Sequence, residues 1–167
     1  MFNKYIKQTV ILGALLVLIS SQSKASRNLW SELSASTAAK SLDASKVYPE
    51  KYRAVTVNYE MLKSTLLSAP KSDFFYSKTS NPTIVELPMP YGSFESFQIM
   101  ETPMMEEALA AKYPSIKTFT GVSVQNPQNT VKIDIGPFGF HAMVLSKDGR
   151  YFINPISNAS TSQYMSF

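Results

Sequence analysis

The sequence has no cysteine and only one histidine among its 167 residues. Without cysteine the chain cannot form a disulfide framework or a Cys-His nucleophile pair. With one imidazole it cannot supply a three-histidine or a cysteine-histidine zinc site. The length is sufficient for one domain, and its stability must come from a packed core because no disulfide can reinforce it.

A clustered positive surface is also lacking, although the chain has 16 Lys and Arg against 12 Asp and Glu. Three of the basic residues, Lys4, Lys7 and Lys24, lie in a segment that we expect to be removed, which leaves 13 basic against 12 acidic groups. Nucleic-acid binding requires clustered Lys and Arg. Because the basic residues between positions 46 and 78 are interleaved with acidic ones, we predict no nucleic-acid partner and no binding to a membrane surface.

The N-terminus has a short apolar run from Val10 to Ile19, which follows Lys4 and Lys7 and precedes a polar stretch ending in Ser23-Lys24-Ala25. This three-part layout is typical of a signal peptide, which we assign to residues 1–25 with cleavage between Ala25 and Ser26. The run makes roughly 15 Å of helix, about half of a bilayer core, so no stable membrane anchor is expected. We expect a secreted or periplasmic protein; a buried first helix and an uncleaved anchor are the alternatives.

The remaining chain divides into three parts by composition. Residues 26–45 form a Ser/Ala-rich arm in which Trp30 is the strong apolar anchor. Residues 46–156 carry the patterned segments of one domain, and residues 157–167 form a Ser-rich tail that we expect to be flexible apart from Tyr164 and Phe167.

Alternation of apolar and polar residues predicts strands in most of the domain. A change to helical spacing over Glu60 to Ser68, and the opening Thr102-Pro103 before a stop at Pro114, predict two short helices. The strands are expected at 53–59, 83–87, 94–101, 116–124, 131–135, 140–145 and 150–153, with the second and third forming a hairpin. Asp148-Gly149 is a hairpin signal because glycine accepts positive φ. We therefore predict a single α+β domain, mainly antiparallel β-sheet with two short helices against one face.

The only imidazole, His141, lies in a predicted strand, opposite Phe140 and Ala142 and on the same side as Met143. No His-Glu-x-x-His or Gly-x-Ser-x-Gly motif accompanies it, which favours a half-buried histidine held by a neighbouring acceptor. A catalytic role would require a carboxylate within hydrogen-bonding reach in an open cleft.

Other polar or sulfur-containing residues give weaker signals. Glu106 and Glu107 point in different directions from a helix start, where the dipole favours acidic groups. Glu95 and Glu101 could pair only through tertiary structure. The methionines Met100, Met104 and Met105 favour packing over a metal-binding patch. Asn158-Ala159-Ser160 has the common glycosylation pattern. We therefore predict no catalytic, cofactor-binding or metal-binding residue, and expect a protein that is not an enzyme.

Four phrases occur together in a recognisable order. They are 87–92 (Leu-Pro-Met-Pro-Tyr-Gly), 97–105 (Phe-Gln-Ile-Met-Glu-Thr-Pro-Met-Met), 109–119 (Leu-Ala-Ala-Lys-Tyr-Pro-Ser-Ile-Lys-Thr-Phe) and 139–143 (Gly-Phe-His-Ala-Met). In this order they resemble the N-terminal propeptide region of bacterial secreted reprolysin-like zinc metallopeptidases. The resemblance extends from about Trp30 to Tyr164.

The resemblance implies a prosegment that assists folding of a cognate zinc metallopeptidase catalytic domain or occludes its cleft. The family's catalytic His-Glu-x-x-His helix is not in this sequence, so no catalytic residue carries over. Animal reprolysin prosegments block the zinc with a thiolate, whereas this chain has no cysteine, so occlusion would be steric or would use a weaker ligand such as His141. The chain could be a truncated protease or a freestanding copy that acts in trans.

Two functions of other classes stay open. One is a secreted small binding domain, unrelated to proteolysis, that uses an aromatic surface around Tyr91, Phe94 and Phe138. The other is an enzyme, which would need an acid/base pair that the sequence does not reveal.

Overall fold

The structure is a computed structural model that describes residues 29–42, 44–72, 82–157 and 160–167. The predicted signal peptide, with its cleavage site between Ala25 and Ser26, lies outside the described residues, as do Asn158 and Ala159 of the glycosylation pattern.

One antiparallel β-sheet dominates the described part of the chain. Its strands are β1 (Trp30–Glu32), β2 (Arg53–Val57), β3 (Thr83–Pro88), β4 (Phe94–Glu101), β5 (Lys117–Ser123), β6 (Thr130–Gly136), β7 (Gly139–Ser146), β8 (Gly149–Pro155) and β9 (Gln163–Ser166). They are ordered β1-β2-β9-β8-β7-β6-β5-β4-β3. The predicted hairpin of β3 and β4 and the turn at Asp148-Gly149 are both confirmed, the latter with Gly149 at φ 144°.

Three short helices accompany the sheet: α1 (Ala35–Lys40), α2 (Tyr59–Leu67) and α3 (Glu107–Lys112). The side chains of Ser34 and Asn58 cap α1 and α2 by accepting hydrogen bonds from backbone N–H groups of the first turn. Helix α3 begins later than predicted, because the backbone N–H of Thr102 donates to Thr118 O at 2.8 Å and continues the pairing with β5. The helix opening predicted at Thr102-Pro103 is therefore wrong, since α3 begins at Glu107.

The sheet curls until its two edge strands meet. Nε1 of Trp30 in β1 donates to Glu86 O in β3 at 2.8 Å, and Oγ of Ser166 in β9 donates to Pro88 O at 2.7 Å. Nη1 of Arg53 in β2 adds bonds to Met89 O (3.0 Å) and Ser93 O (2.7 Å). Side-chain donors thus join the edges where backbone pairing ends.

The inner face of the curled sheet holds the main core. Its centre is an aromatic triangle of Trp30, Phe140 and Tyr164, with ring centroids 5.8 to 6.1 Å apart. Helix α2 packs Leu62 and Leu66 into the same core. This burial of large apolar side chains supplies the stabilisation that a chain without disulfides needs.

A second, smaller core lies on the outer face. Ala38 of α1 packs there with three residues of the sheet and its connections, Ala54, Ile156 and Met165. The mainly antiparallel single domain is confirmed. The two predicted helices correspond to α2, which packs into the main core, and α3, which has no buried residue. The predicted number of two helices is wrong, because the unpredicted α1 is a third and packs outside the sheet.

Both ends of the described chain are more ordered than the sequence suggested. The arm contributes β1 and α1, with Trp30 as the expected anchor at 4% exposure. Tyr164 is buried, in keeping with its exception from the predicted flexible tail. The prediction of flexibility is wrong for Gln163, Met165 and Ser166, because Gln163–Ser166 forms β9 between β2 and β8.

Candidate functional site

A concave site lies on the outer face of the sheet, above β5 to β8 and under residues 102–104. We call it the outer groove; its volume is about 460 Å³. It is lined by Thr102, Met104, Thr118, Phe119, Thr120, Lys132, Ile133, Asp134, His141, Ala142, Met143, Phe152 and Asn154. Apolar atoms dominate this lining, which is unusual for a sheet face that does not meet the main core.

The strand register arranges the floor of the outer groove in two rows. Thr118 of β5 pairs with Asp134 of β6, which pairs with His141 of β7. The second row runs from Thr120 through Lys132 and Met143 to Phe152 of β8. Alternation along each strand brings the two rows to the same face, so one row is polar and the other grades from polar to apolar.

His141 and Asp134 form the polar pair of the floor. Nδ1 of His141 lies 3.1 Å from Oδ2 of Asp134, and the side chains are 36% and 52% exposed. In a neutral ring this contact requires the proton on Nδ1, which leaves the lone pair of Nε2 available to a ligand. His141 therefore has what a catalytic histidine would need in geometry: a carboxylate within hydrogen-bonding reach in an open cleft.

Two threonine hydroxyl groups on the floor of the outer groove have hydrogen-bond partners. Oγ1 of Thr118 donates to Thr102 O at 2.5 Å, and Oγ1 of Thr120 accepts from Nζ of Lys132 at 3.0 Å. The bond from Thr118 to Thr102 O and the backbone bond from Thr102 N to Thr118 O attach the overhanging segment to β5. Oγ1 of Thr102 is buried and, among the described residues, has no hydrogen-bond partner.

Phe152, on the apolar side of the outer groove, is held by contacts with Phe167. Phe152 stacks on Phe167, with ring centroids 5.6 Å apart and an interplanar angle of 27°. The two residues also exchange backbone hydrogen bonds of 2.8 and 3.0 Å. This wall is therefore held by both ring stacking and backbone pairing.

The structure brings two of the sequence candidates, His141 and Met104, to the outer groove. Met100 and Met105 do not line it. Glu95 and Glu101 cannot act as a carboxylate pair, because they lie six positions apart on one strand, which is about 20 Å. Each has its own partner: Glu95 accepts from Asn129 at 2.8 Å, and Glu101 lies 3.4 Å from Nζ of Lys117. Glu106 and Glu107 lie at the start of α3, as expected.

The aromatic surface proposed from Tyr91, Phe94 and Phe138 does not form. Tyr91 contacts Tyr151, whose backbone pairs with Val144 near the end of β7, while Phe138 precedes the start of that strand. About 20 Å of strand separates these positions. Phe94 instead lies under the guanidinium of Arg53, 4.4 Å from its ring centroid.

Sequence reasoning missed Asp134, Lys132 and Phe152 as members of a site. The alternation of β6 placed Lys132 and Asp134 on the side away from the core, but did not show what would cover them. The overhang of residues 102–104, which converts this face into a groove, depends on the irregular segment before α3.

Within the described ranges, no three His, Cys, Asp or Glu side chains come together as metal ligands. None of the helices in the described part of the chain has the length and apolar character needed to cross a bilayer. In comparisons with known proteins, no family model, no curated protein and no solved structure matches the chain.

Proposed function

We propose that the chain is an exported, non-catalytic binding domain whose ligand site is the outer groove. The observation that carries this proposal is an apolar concavity with a polar end, formed on a sheet face that would otherwise meet solvent. Its volume of about 460 Å³ lies within the range of about 300–1,000 Å³ typical of small-molecule sites.

The lining points to an amphipathic ligand. Met104, Met143 and Phe152 offer apolar contact area to its body. Lys132 and the Asp134–His141 pair offer a cation, a carboxylate and a ring nitrogen to its polar group. A ligand with an acidic head would place it near Lys132, whose ammonium Thr120 already positions.

The hydrogen bond of Thr118, whose residue pairs with Asp134 in the strand register, supports a binding role over a catalytic one. A histidine–carboxylate pair becomes a catalytic dyad for acyl transfer when a nucleophile lies within reach of its free nitrogen. Here the hydroxyl of Thr118 already donates its proton to Thr102 O, away from the histidine.

The test is an NMR titration of the full chain with decanoate, a simple amphipathic acid. We expect saturable shifts of backbone amides of β5 to β8, which disappear in Met143→Lys because a second ammonium enters the apolar part. Met61→Lys, on the exposed side of α2, is the matched control and should bind normally. Absence of saturation up to about 1 mM, or equal loss in both variants, would refute the proposal.

A second candidate is a propeptide-like role, as folding assistant or steric inhibitor of a cognate zinc metallopeptidase catalytic domain. One observation favours it: phrases that carry the sequence resemblance supply Thr102, Met104, Thr118, His141 and Met143, which all line the outer groove. The groove would then receive an apolar side chain of the protease.

Mixing the full chain with a reprolysin-like protease tests this second candidate. Inhibition or improved refolding at micromolar concentration, reduced by Met143→Lys but not by Met61→Lys, is the expected result. If the chain neither inhibits the protease nor improves its refolding at that concentration, the propeptide role is refuted. The result of the decanoate titration does not depend on this outcome.

A further inference from the structure

Two thioethers and an imidazole line the outer groove together. His141 and Met143 are two residues apart on β7 and therefore share the outer face. Met104 belongs to the overhanging segment and faces the same groove from above. The set brings together two ligand types, thioether sulfur and imidazole nitrogen, that bind the same kind of metal ion.

The imidazole is already oriented as a metal ligand would be. Its Nδ1 contacts Oδ2 of Asp134 at 3.1 Å, which leaves Nε2 unprotonated in the neutral ring. In metal-binding histidines, the N–H of the second ring nitrogen characteristically donates a hydrogen bond to a carboxylate in this way. The contact fixes the tautomer and raises the basicity of the ligating nitrogen. The negative charge of Asp134 also offsets an incoming positive ion.

We propose that Met104, His141 and Met143 form a binding site for a soft monovalent cation of the Cu(I) type. Thioether sulfur selects Cu(I) over zinc, calcium and magnesium, which prefer nitrogen, thiolate or oxygen ligands. This inference goes beyond the proposed function, because an organic ligand of the groove would require no thioether.

The position of Met104 allows the site to close around an ion. Its side chain is 78% exposed, and three rotatable bonds let its sulfur approach the two ligands of the rigid strand. The ammonium of Lys132 donates to Oγ1 of Thr120 at 3.0 Å and so stays on the floor of the groove, where its positive charge repels the ion. Replacing Lys132 by glutamine should therefore increase affinity.

The experiment uses Ag(I), a redox-inert probe for Cu(I) sites, added as its nitrate to the full chain with ¹³C-labelled methionine methyl groups. We expect the methyl signals of Met104 and Met143 to shift and to saturate at one equivalent, while that of Met61, 44% exposed on α2, stays unchanged. His141→Gln and Met143→Leu should each weaken binding at least about tenfold, and Asp134→Asn about tenfold through the ring orientation. Met61→Leu is the matched control.

Equal response of Met61, undiminished binding in His141→Gln and Met143→Leu, or no saturable shift below about 100 μM would overturn the proposal. A backbone NMR spectrum of each variant verifies its fold, and the partly exposed outer positions of His141 and Met143 favour folding of both variants. The outcome is separate from the decanoate titration: Ag(I) binding without decanoate binding would refute the proposed function and leave the metal site supported.

Discussion

Trp30 and Glu86 join the two edges of the sheet: the indole N–H of β1 donates to the backbone oxygen of β3 at 2.8 Å. The two residues are 56 positions apart in the sequence, and seven strands lie between theirs in the sheet. A side chain thus completes a closure that backbone pairing leaves open. Because Trp30 also contacts Phe140 and Tyr164, the closure and the aromatic core depend on the same ring.

Trp30→Phe should lower the free energy of unfolding by about 1–3 kcal/mol, since Glu86 O loses its buried donor and the core loses volume. Urea denaturation measures the change. Tyr91→Phe is the control: it removes an exposed hydrogen bond to Tyr151 and should cost less than about 0.5 kcal/mol. Equal losses in the two variants would contradict the closing role of Trp30.

The guanidinium of Arg53 is buried and forms an ion pair with the carboxylate of Glu32, which predicts an asymmetric effect of replacing either residue. Arg53→Met should cost about 2–4 kcal/mol, because Met89 O and Ser93 O lose their donors. Glu32→Gln should cost less than about 1 kcal/mol, since the carboxylate is 66% exposed and water replaces it as a partner. Thermal unfolding of both variants provides the comparison; a larger loss for Glu32→Gln would show that the ion pair dominates.

Tyr164 predicts a loss of stability at high pH. Burial raises its pKa to about 12, above the ordinary value near 10, although Oη accepts the Phe140 N–H. As the pH rises, the Tyr164 hydroxyl therefore loses its proton in the unfolded chain before it does so in the folded chain. Its contribution to the free energy of unfolding is complete below about pH 10 and is lost as the pH rises towards 12. The total is on the order of 2–3 kcal/mol.

Tyr164→Phe provides the test of that titration. Its stability should be lower at neutral pH by about 1–3 kcal/mol, because the N–H of Phe140 loses its acceptor. Between about pH 10 and 12 it should decline less steeply than the wild type in urea denaturation. Parallel pH profiles would exclude Tyr164 as the titrating group.

Local patterns were sufficient for most strands of the sheet. The β6 alternation of Val131, Ile133 and Ile135 against Lys132 and Asp134 correctly separates the two faces. The turn at residues 137–138 then determines the register, since pairing Gly136 with Gly139 places Asp134 opposite His141. The alternation pattern alone does not identify Asp134 as the partner of His141, because the strand register is also needed.

The remaining features depend on contacts between distant segments. Gln163–Ser166 lies in a Ser-rich part of the sequence with weak local preference for a strand. It nevertheless forms one, because β2 and β8 pair with it from both sides. The groove likewise needs Thr102 to continue towards β5 instead of capping a helix. Tertiary pairing overrides local preference at both places, which is why the tail and the start of α3 were predicted wrongly.

Gly121 is closely surrounded where β5 passes between β4 and β6. A Cβ added there would lie 2.8 Å from Cγ2 of Ile99, 2.9 Å from Gln98 O and 2.9 Å from Cγ1 of Val131. Gly121→Ala should therefore cost about 1–3 kcal/mol by overpacking, because a backbone oxygen cannot move aside without breaking strand pairing. Gly136→Ala is the matched control in the adjacent strand, since its new methyl would meet only Cγ1 of Ile116 at 3.7 Å. We expect it to change stability by less than about 0.5 kcal/mol in urea denaturation.

Because β5 carries Thr118 and Thr120, a displacement of this strand would also alter the outer groove, so Gly121→Ala should weaken decanoate binding while Gly136→Ala preserves it. Comparable stability in the two variants would mean that β5 can shift outward, and the close approach at Gly121 would then not determine the position of the strand.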